Sequence, residues 1–190
     1  MSTTRPLDVT IYDSLSQKKK LLNPITSGHI KIYACGVTVY DECHIGHAMQ
    51  AIYFDMVRKY LEYLGYTVTY VRNFTDVDDK IIERAKTLNI SPKKLADEII
   101  HSSRQDMSDL GVQPATYEPR VSDHIEDIIK MIADLIDKGF AYPTPSGDVY
   151  YSVSSCKDYG KLSNRKPGEL RSGTRQIVAG DKRDPLDFAL

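Results

Sequence analysis

The stretch YACGVTVYDECHIGHAMQ, residues 33–50, holds two cysteines, two histidines, two glycines and two acids in eighteen positions. It decides the fold because the hydrophobic period changes across it. Upstream, HIKIYACG (29–36) reads as a β-strand ending at Gly36, followed by VTVYDEC as a loop. Downstream, Ile45, Ile52, Met56, Val57, Tyr60, Leu61 and Leu64 recur at helical spacing, and Gly65 closes the segment. TVTYVRN (67–73) then reads as a second strand rich in β-branched residues. Strand, helix and strand with a crossover of this length predict a parallel βαβ unit.

Ahead of this unit, Leu7, Val9 and Ile11 alternate as a short strand that runs into a polar turn, SQKKK. Behind it the character becomes helical. VDDKIIERAKTL predicts a helix ending at Asn89, and Ser91 as cap with Pro92 at the first helical position opens another that stops near Gly111. A third helix carries Ile125, Ile128, Ile129, Ile132, Leu135 and Ile136 on one stripe, expected to be core, before Gly139. A β-hairpin is expected near residues 140–153 around a Pro/Gly turn, and residues 159–185 read as loop. The closing DFAL is an apolar stub without a polar tail, which suggests an N-terminal part of something longer.

At 190 residues, 41% of them hydrophobic and 27% charged, the chain is long enough for a sizeable core. Its formal charge of -1 removes any bulk electrostatic argument for nucleic-acid binding. Three cysteines, Cys35, Cys43 and Cys156, are too few and odd for a disulfide scaffold and favour a reducing compartment. With no secretory signal pattern and no long apolar run, the expectation is a cytoplasmic protein without a membrane partner.

Cys35, Cys43, His44 and His47 are candidate metal ligands, but Cys-x7-Cys-His-x2-His matches no usual structural zinc spacing. A helix starting at His44 presents free N–H groups and positive potential, which favour an anion over a cation. Gly46 permits close approach of a ligand to the backbone, and two imidazoles three residues apart share one side of the first turn. Strand, loop, glycine and helix start together suit a phosphate.

The HIGH element, with YACGVTVYD before it and YVRNFTDVDDKIIERA after it, resembles the N-terminal catalytic segment of the cysteinyl-tRNA synthetases. The resemblance extends to YGKLSNR and KRDPLDFAL. It implies an α/β fold: residues 1–90 as the first half of a Rossmann-like class I catalytic domain, and residues 91–190 as a connective insertion, mostly helical with the hairpin. It implies activation of L-cysteine with ATP and Mg²⁺, and transfer to tRNA(Cys). His44 and His47 would act on the α-phosphate of ATP, Gly46 would leave room for the nucleotide, and Gly36 and Thr75 would line the cysteine pocket. Cys35 matches the family's first Zn²⁺ ligand. The remaining zinc ligands and the lysine-bearing KMSKS loop lie in the second half of the family's fold and are not among these 190 residues, so the chain alone is expected to be inactive. Two other readings stand beside this one: a mycothiol-pathway ligase joining cysteine to an amino sugar, and a nonenzymatic nucleotide- or metal-binding module.

Several residues have plainer readings. Cys43 is expected to be structural, and His29, His101 and His124 to be solvated. Asp76, Asp78 and Asp79 suggest a Mg²⁺ cluster but are ordinary partners of a helix dipole.

Overall fold

A computed structural model describes residues 8–165 and 181–190 of the chain. It divides into two compact units, one built on Leu22–His124 and the other on Val9–Leu21 with Ile125–Leu190. The first elements are an antiparallel hairpin, β1 (Thr10–Asp13) and β2 (Lys18–Leu21), closed by a turn with Gln17 at φ 54. The lysines read as turn therefore lie in a strand. Asp13 holds the hairpin by pairing with Lys20 at 2.7 Å and accepting from the Ser16 backbone at 3.2 Å.

The larger unit follows the predicted βαβ path. β3 (His29–Thr38) pairs in parallel with β4 (Thr67–Thr75), and α1 (Ile45–Tyr63) connects them. β3 does not end at Gly36. It continues through a bulge, because Ala34 faces Arg72 and Val37 faces Phe74, leaving Cys35 and Gly36 opposite Asn73 alone. The extra residue resets the alternation, so that Ala34 and Val37 are both buried while Cys35 is exposed. A glycine inside a strand marks such a site of close backbone approach rather than a strand end.

The far edge of β4 is covered by an irregular segment. Arg72 and Phe74 donate their backbone N–H groups to the carbonyls of Tyr117 (3.1 Å) and Pro119 (2.9 Å), and Thr116 N–H returns to Tyr70 at 2.7 Å. α2 (Asp79–Leu88) is capped by Asp78, and Asn89 closes it in the left-handed region. α3 (Pro92–Asp109) is capped by Ser91, whose hydroxyl accepts from Lys94 N–H at 3.2 Å. A short 3-10 turn, Val121–His124, is tied down by Asp76, whose carboxylate accepts from the Ser122 N–H (2.9 Å) and hydroxyl. Asp78 and Asp79 thus serve helix ends as read, whereas Asp76 holds a different segment.

The core joins Val37, Val39 and Phe74 to Ile81 and Ala85 of α2 and to Leu95, Ala96, Ile99 and Ile100 of α3. α3, placed in the insertion by sequence, packs in the same core as β3 and β4, within a compact unit that runs to His124. α1 buries Ala51, Asp55 and Leu61, while Ile45, Ile52, Met56 and Tyr60 of its predicted apolar face are exposed, together with Met49, Tyr53 and Tyr63.

In the smaller unit, α4 (Ile125–Asp137) has no buried residue, which overturns the expectation that its isoleucine stripe is core. Ile125, Ile128 and Ile129 are exposed; Ile132, Leu135 and Ile136 are half-buried. Periodicity shows that a face is apolar, not that something covers it. The expected hairpin is present as β5 (Ala141–Pro143) and β6 (Val149–Tyr151), and β7 (Phe188–Ala189) adds to β6. The DFAL stub is thus a strand. Its Asp187, 2% exposed, accepts from Tyr142 hydroxyl at 2.7 Å and Val153 N–H at 2.9 Å. Leu7 and residues 166–180 of the loop reading lie outside the described residues. Among the described residues no helix is long and apolar enough to cross a membrane.

A methyl group on Gly36 would fall 1.4 Å from the Asn73 carbonyl oxygen, which is backbone and cannot swing away. Gly36→Ala should destabilise the chain by about 3 kcal/mol or more, at the upper end for overpacking, as read from the urea midpoint. A midpoint within about 0.5 kcal/mol of the parent would contradict the bulge.

Candidate functional site

The bulge gathers three of the residues singled out in the sequence. Gly36 N–H, displaced from the ladder, donates to the Asn73 side-chain oxygen at 2.9 Å, and the Asn73 amide nitrogen donates to the Thr75 hydroxyl at 3.3 Å. One asparagine therefore fixes both predicted cysteine-pocket positions, Gly36 and Thr75. The Cys35 carbonyl accepts from the Gln50 side chain at 3.2 Å, fastening α1 to the bulge. The Cys35 thiol is exposed, and its one polar contact is a weak one to the Gly36 carbonyl at 3.7 Å. It is sterically available as a ligand, at the carboxyl end of a parallel strand where α/β folds bind theirs.

At the start of α1 the two histidines act on each other. His44 is the N-cap, its Nδ1 accepting from Gly46 N–H at 3.0 Å; its own N–H is directed at His47 Nδ1 at 3.4 Å, completing a reciprocal capping box. The rings stack with centroids 3.9 Å apart. A neutral imidazole that accepts at Nδ1 carries its proton on Nε2, so the caps leave each histidine with an Nε2–H donor. Burial, then the neighbouring His44 and Arg72, hold the His47 pKa below the usual 6.5, which keeps it in that neutral form at pH 7. The helix has no acid in its first turn. The acids just before it are engaged elsewhere, Asp41 with Arg84 at 3.6 Å and Glu42 with the Ser102 hydroxyl at 2.6 Å. The positive end of the helix dipole is therefore not compensated by an acid of the helix itself or of the loop just before it, although Asp106 and Asp109 of α3 lie beside His44 and Ile45. This arrangement can donate two hydrogen bonds to an anion, one from each Nε2.

Gly46 has a local reason to be glycine. A side chain there would stand 2.9 Å from Cε1 of the His44 ring, so the small residue lets the cap fold back over the helix.

Among the described residues no three His, Cys, Asp or Glu side chains converge as metal ligands. The residues here therefore do not make a complete zinc site, and Cys35 can contribute one ligand only. Cys43 is half-buried and donates to the Ser103 hydroxyl at 3.2 Å, in keeping with its structural reading. His29 departs from the expectation of a solvated ring: it is half-buried, with Nε2 at 2.8 Å from the Thr69 hydroxyl on the paired strand. Asn73 and Gln50 escaped the sequence reading. The sign of Asn73 was an amide beside Arg72 in a strand otherwise of β-branched and aromatic residues; Gln50 gave none.

In fold, 67% of the chain superposes on 18% of a LeuRS from Agrobacterium radiobacter K84, solved as a ternary complex with tRNA and LeuAMS, at a TM-score of 0.53 and 20% identity. That likeness is one of fold. Residues 21–190 match the family model of the class I (C) tRNA synthetase catalytic domain, and the chain belongs to that family. It is 52% identical over 184 residues to a cysteine–tRNA ligase of Persephonella marina, covering 97% of this chain and 38% of the relative. It is 50% identical over 180 residues to one of Alkalilimnicola ehrlichii, covering 95% of this chain and 39% of the relative. The chain thus spans well under half the length of the curated relatives it matches.

Because the folded state resists protonation of His47, stability contributed by the neutral cap is full above pH 6.5 and is lost as pH falls below it. Proton NMR of the ring should show His47 titrating below 6.5, and His47→Gln should flatten the fall in stability between pH 7 and 5. A His47 midpoint at or above 6.5 would contradict the burial of its ring beside His44 and Arg72.

Proposed function

We propose that this chain is part of a cytoplasmic class I enzyme that activates L-cysteine with ATP to cysteinyl-adenylate and transfers it to tRNA(Cys). The observation that carries the reading is the pair of stacked imidazoles capping the start of α1, with the exposed Cys35 at the end of the adjoining strand. Activation is in-line attack of the cysteine carboxylate on the α-phosphorus, with pyrophosphate as the leaving group. Such a step needs oriented donors more than a base. The Nε2–H groups of His44 and His47 donate to the α-phosphate oxygens as their charge grows, in a position fixed beforehand by the helix caps. Gly46 keeps the first turn low enough for the nucleotide, whose phosphates arrive with Mg²⁺. Gly36 and Thr75, held by Asn73, line the pocket for the amino acid.

Cys35 would hold one bond to a zinc ion whose other ligands come from outside these residues. Zinc there would supply a thiolate-selective contact that separates cysteine from serine, which differs by a single atom. On this reading residues 1–90 are the first half of the catalytic domain and 91–190 its connective insertion, α3 being recruited into the core of the first half.

In protein of the relatives' length, His44→Ala and His47→Ala should each lower cysteine-dependent ATP–pyrophosphate exchange by about 10²–10³, with cysteine affinity little changed. Cys35→Ser should lose bound zinc and cysteine affinity together while ATP still binds, and Cys43→Ser should lose neither. Residues 1–190 alone should show no exchange. Normal exchange in both histidine variants, or full zinc content in Cys35→Ser, would overturn the assignments.

A further inference from the structure

On the core-facing side of β4, opposite to Asn73 and Thr75, lies a cavity of about 170 Å³. Tyr70, Phe74, Arg104, Met107, Gln113 and Glu118 line it, and so does Arg72. Arg72 is 8% exposed, and its Nε has no hydrogen-bond partner among the described residues. No carboxylate there pairs with it. Glu118, the acid in the lining, is taken by Arg104 through both Nε and Nη2 at 2.8 Å. The guanidinium of Arg72 has the ring of Phe74 at 6.0 Å, but Arg104 faces the same ring at 5.5 Å. The cavity walls therefore hold two guanidinium groups against one carboxylate.

A buried arginine with an unmet donor is costly, because desolvation is not repaid by a counter-charge. Its planar fork matches a carboxylate or phosphate group. The cavity is several times the roughly 30 Å³ share of a liquid water molecule, so there is room for such a group. We infer that the cavity between β4 and α3 is a binding site for one small oxyanion, seated on Arg72 and lined by neither His44 nor His47. Tyr70 and Gln113 lie beside it as neutral lining.

The test titrates the 190-residue chain with inorganic phosphate and separately with acetate, against chloride at equal ionic strength. The oxyanion should raise the melting midpoint by about 3–6 °C at ten times its dissociation constant. Backbone amide shifts in NMR should move at Tyr70, Arg104 and Gln113. Arg72→Met should abolish the response and Arg72→Lys should weaken it. A response to phosphate alone identifies a phosphate group as the occupant, and one to acetate alone a carboxylate. No response to either in the parent chain overturns the site. So does an undiminished response in Arg72→Met. Shifts confined to Gly46 and His47 overturn it too, assigning the anion to the helix start instead, and they need no variant to be read.

Discussion

The contact on which the rest of the larger unit depends is the approach of Gly36 to the backbone of Asn73. No side chain fits between them. Because Gly36 yields that space, β3 can carry one residue more than β4, and the surplus turns Cys35 outward while sending Val37 into the core. The hydrogen bond lost from the ladder is replaced by one to the Asn73 side chain, which in turn positions Thr75. A core requirement and a site requirement are met by the same local distortion, as is usual where bulges sit beside functional positions.

The start of α1 solves a second problem with similar means. Orphan N–H groups at a helix start need acceptors, and side chains with oxygen usually provide them. Here imidazole nitrogens do so, which fixes the tautomer of both rings and leaves their other nitrogen as a donor. Asp41 and Glu42, just before the helix, are turned to other partners and do not offset the positive potential of its start.

The βαβ path, the helix caps at Asp78 and Ser91 and the left-handed close at Asn89 were legible in the sequence, because each is written in local residue preferences. The phase shift in β3 was not: Gly36 looks the same in sequence whether it ends a strand or bulges one, and only its neighbour across the sheet decides. The α4 stripe was misread for a related reason, since six isoleucines and leucines at helical spacing carry no information about their partner. At the site, the residues that bear the chemistry were found through the HIGH element and its flanks. Asn73 and Gln50, which hold them, and Arg72 in its own cavity were not, because their roles come from contacts between segments distant in sequence.

The covering of β4 by residues 114–120 has a consequence for how the sheet can grow. Pro114 and Pro119 have no N–H to offer, and the segment spends its carbonyls on Arg72 and Phe74, so it cannot serve as a template for another strand. The sheet is closed on that flank, and among the described residues no strand pairs with the flank of β3. A strand added there, such as an errant neighbour in a concentrated solution, would lie beside Cys35 rather than beside the arginine cavity.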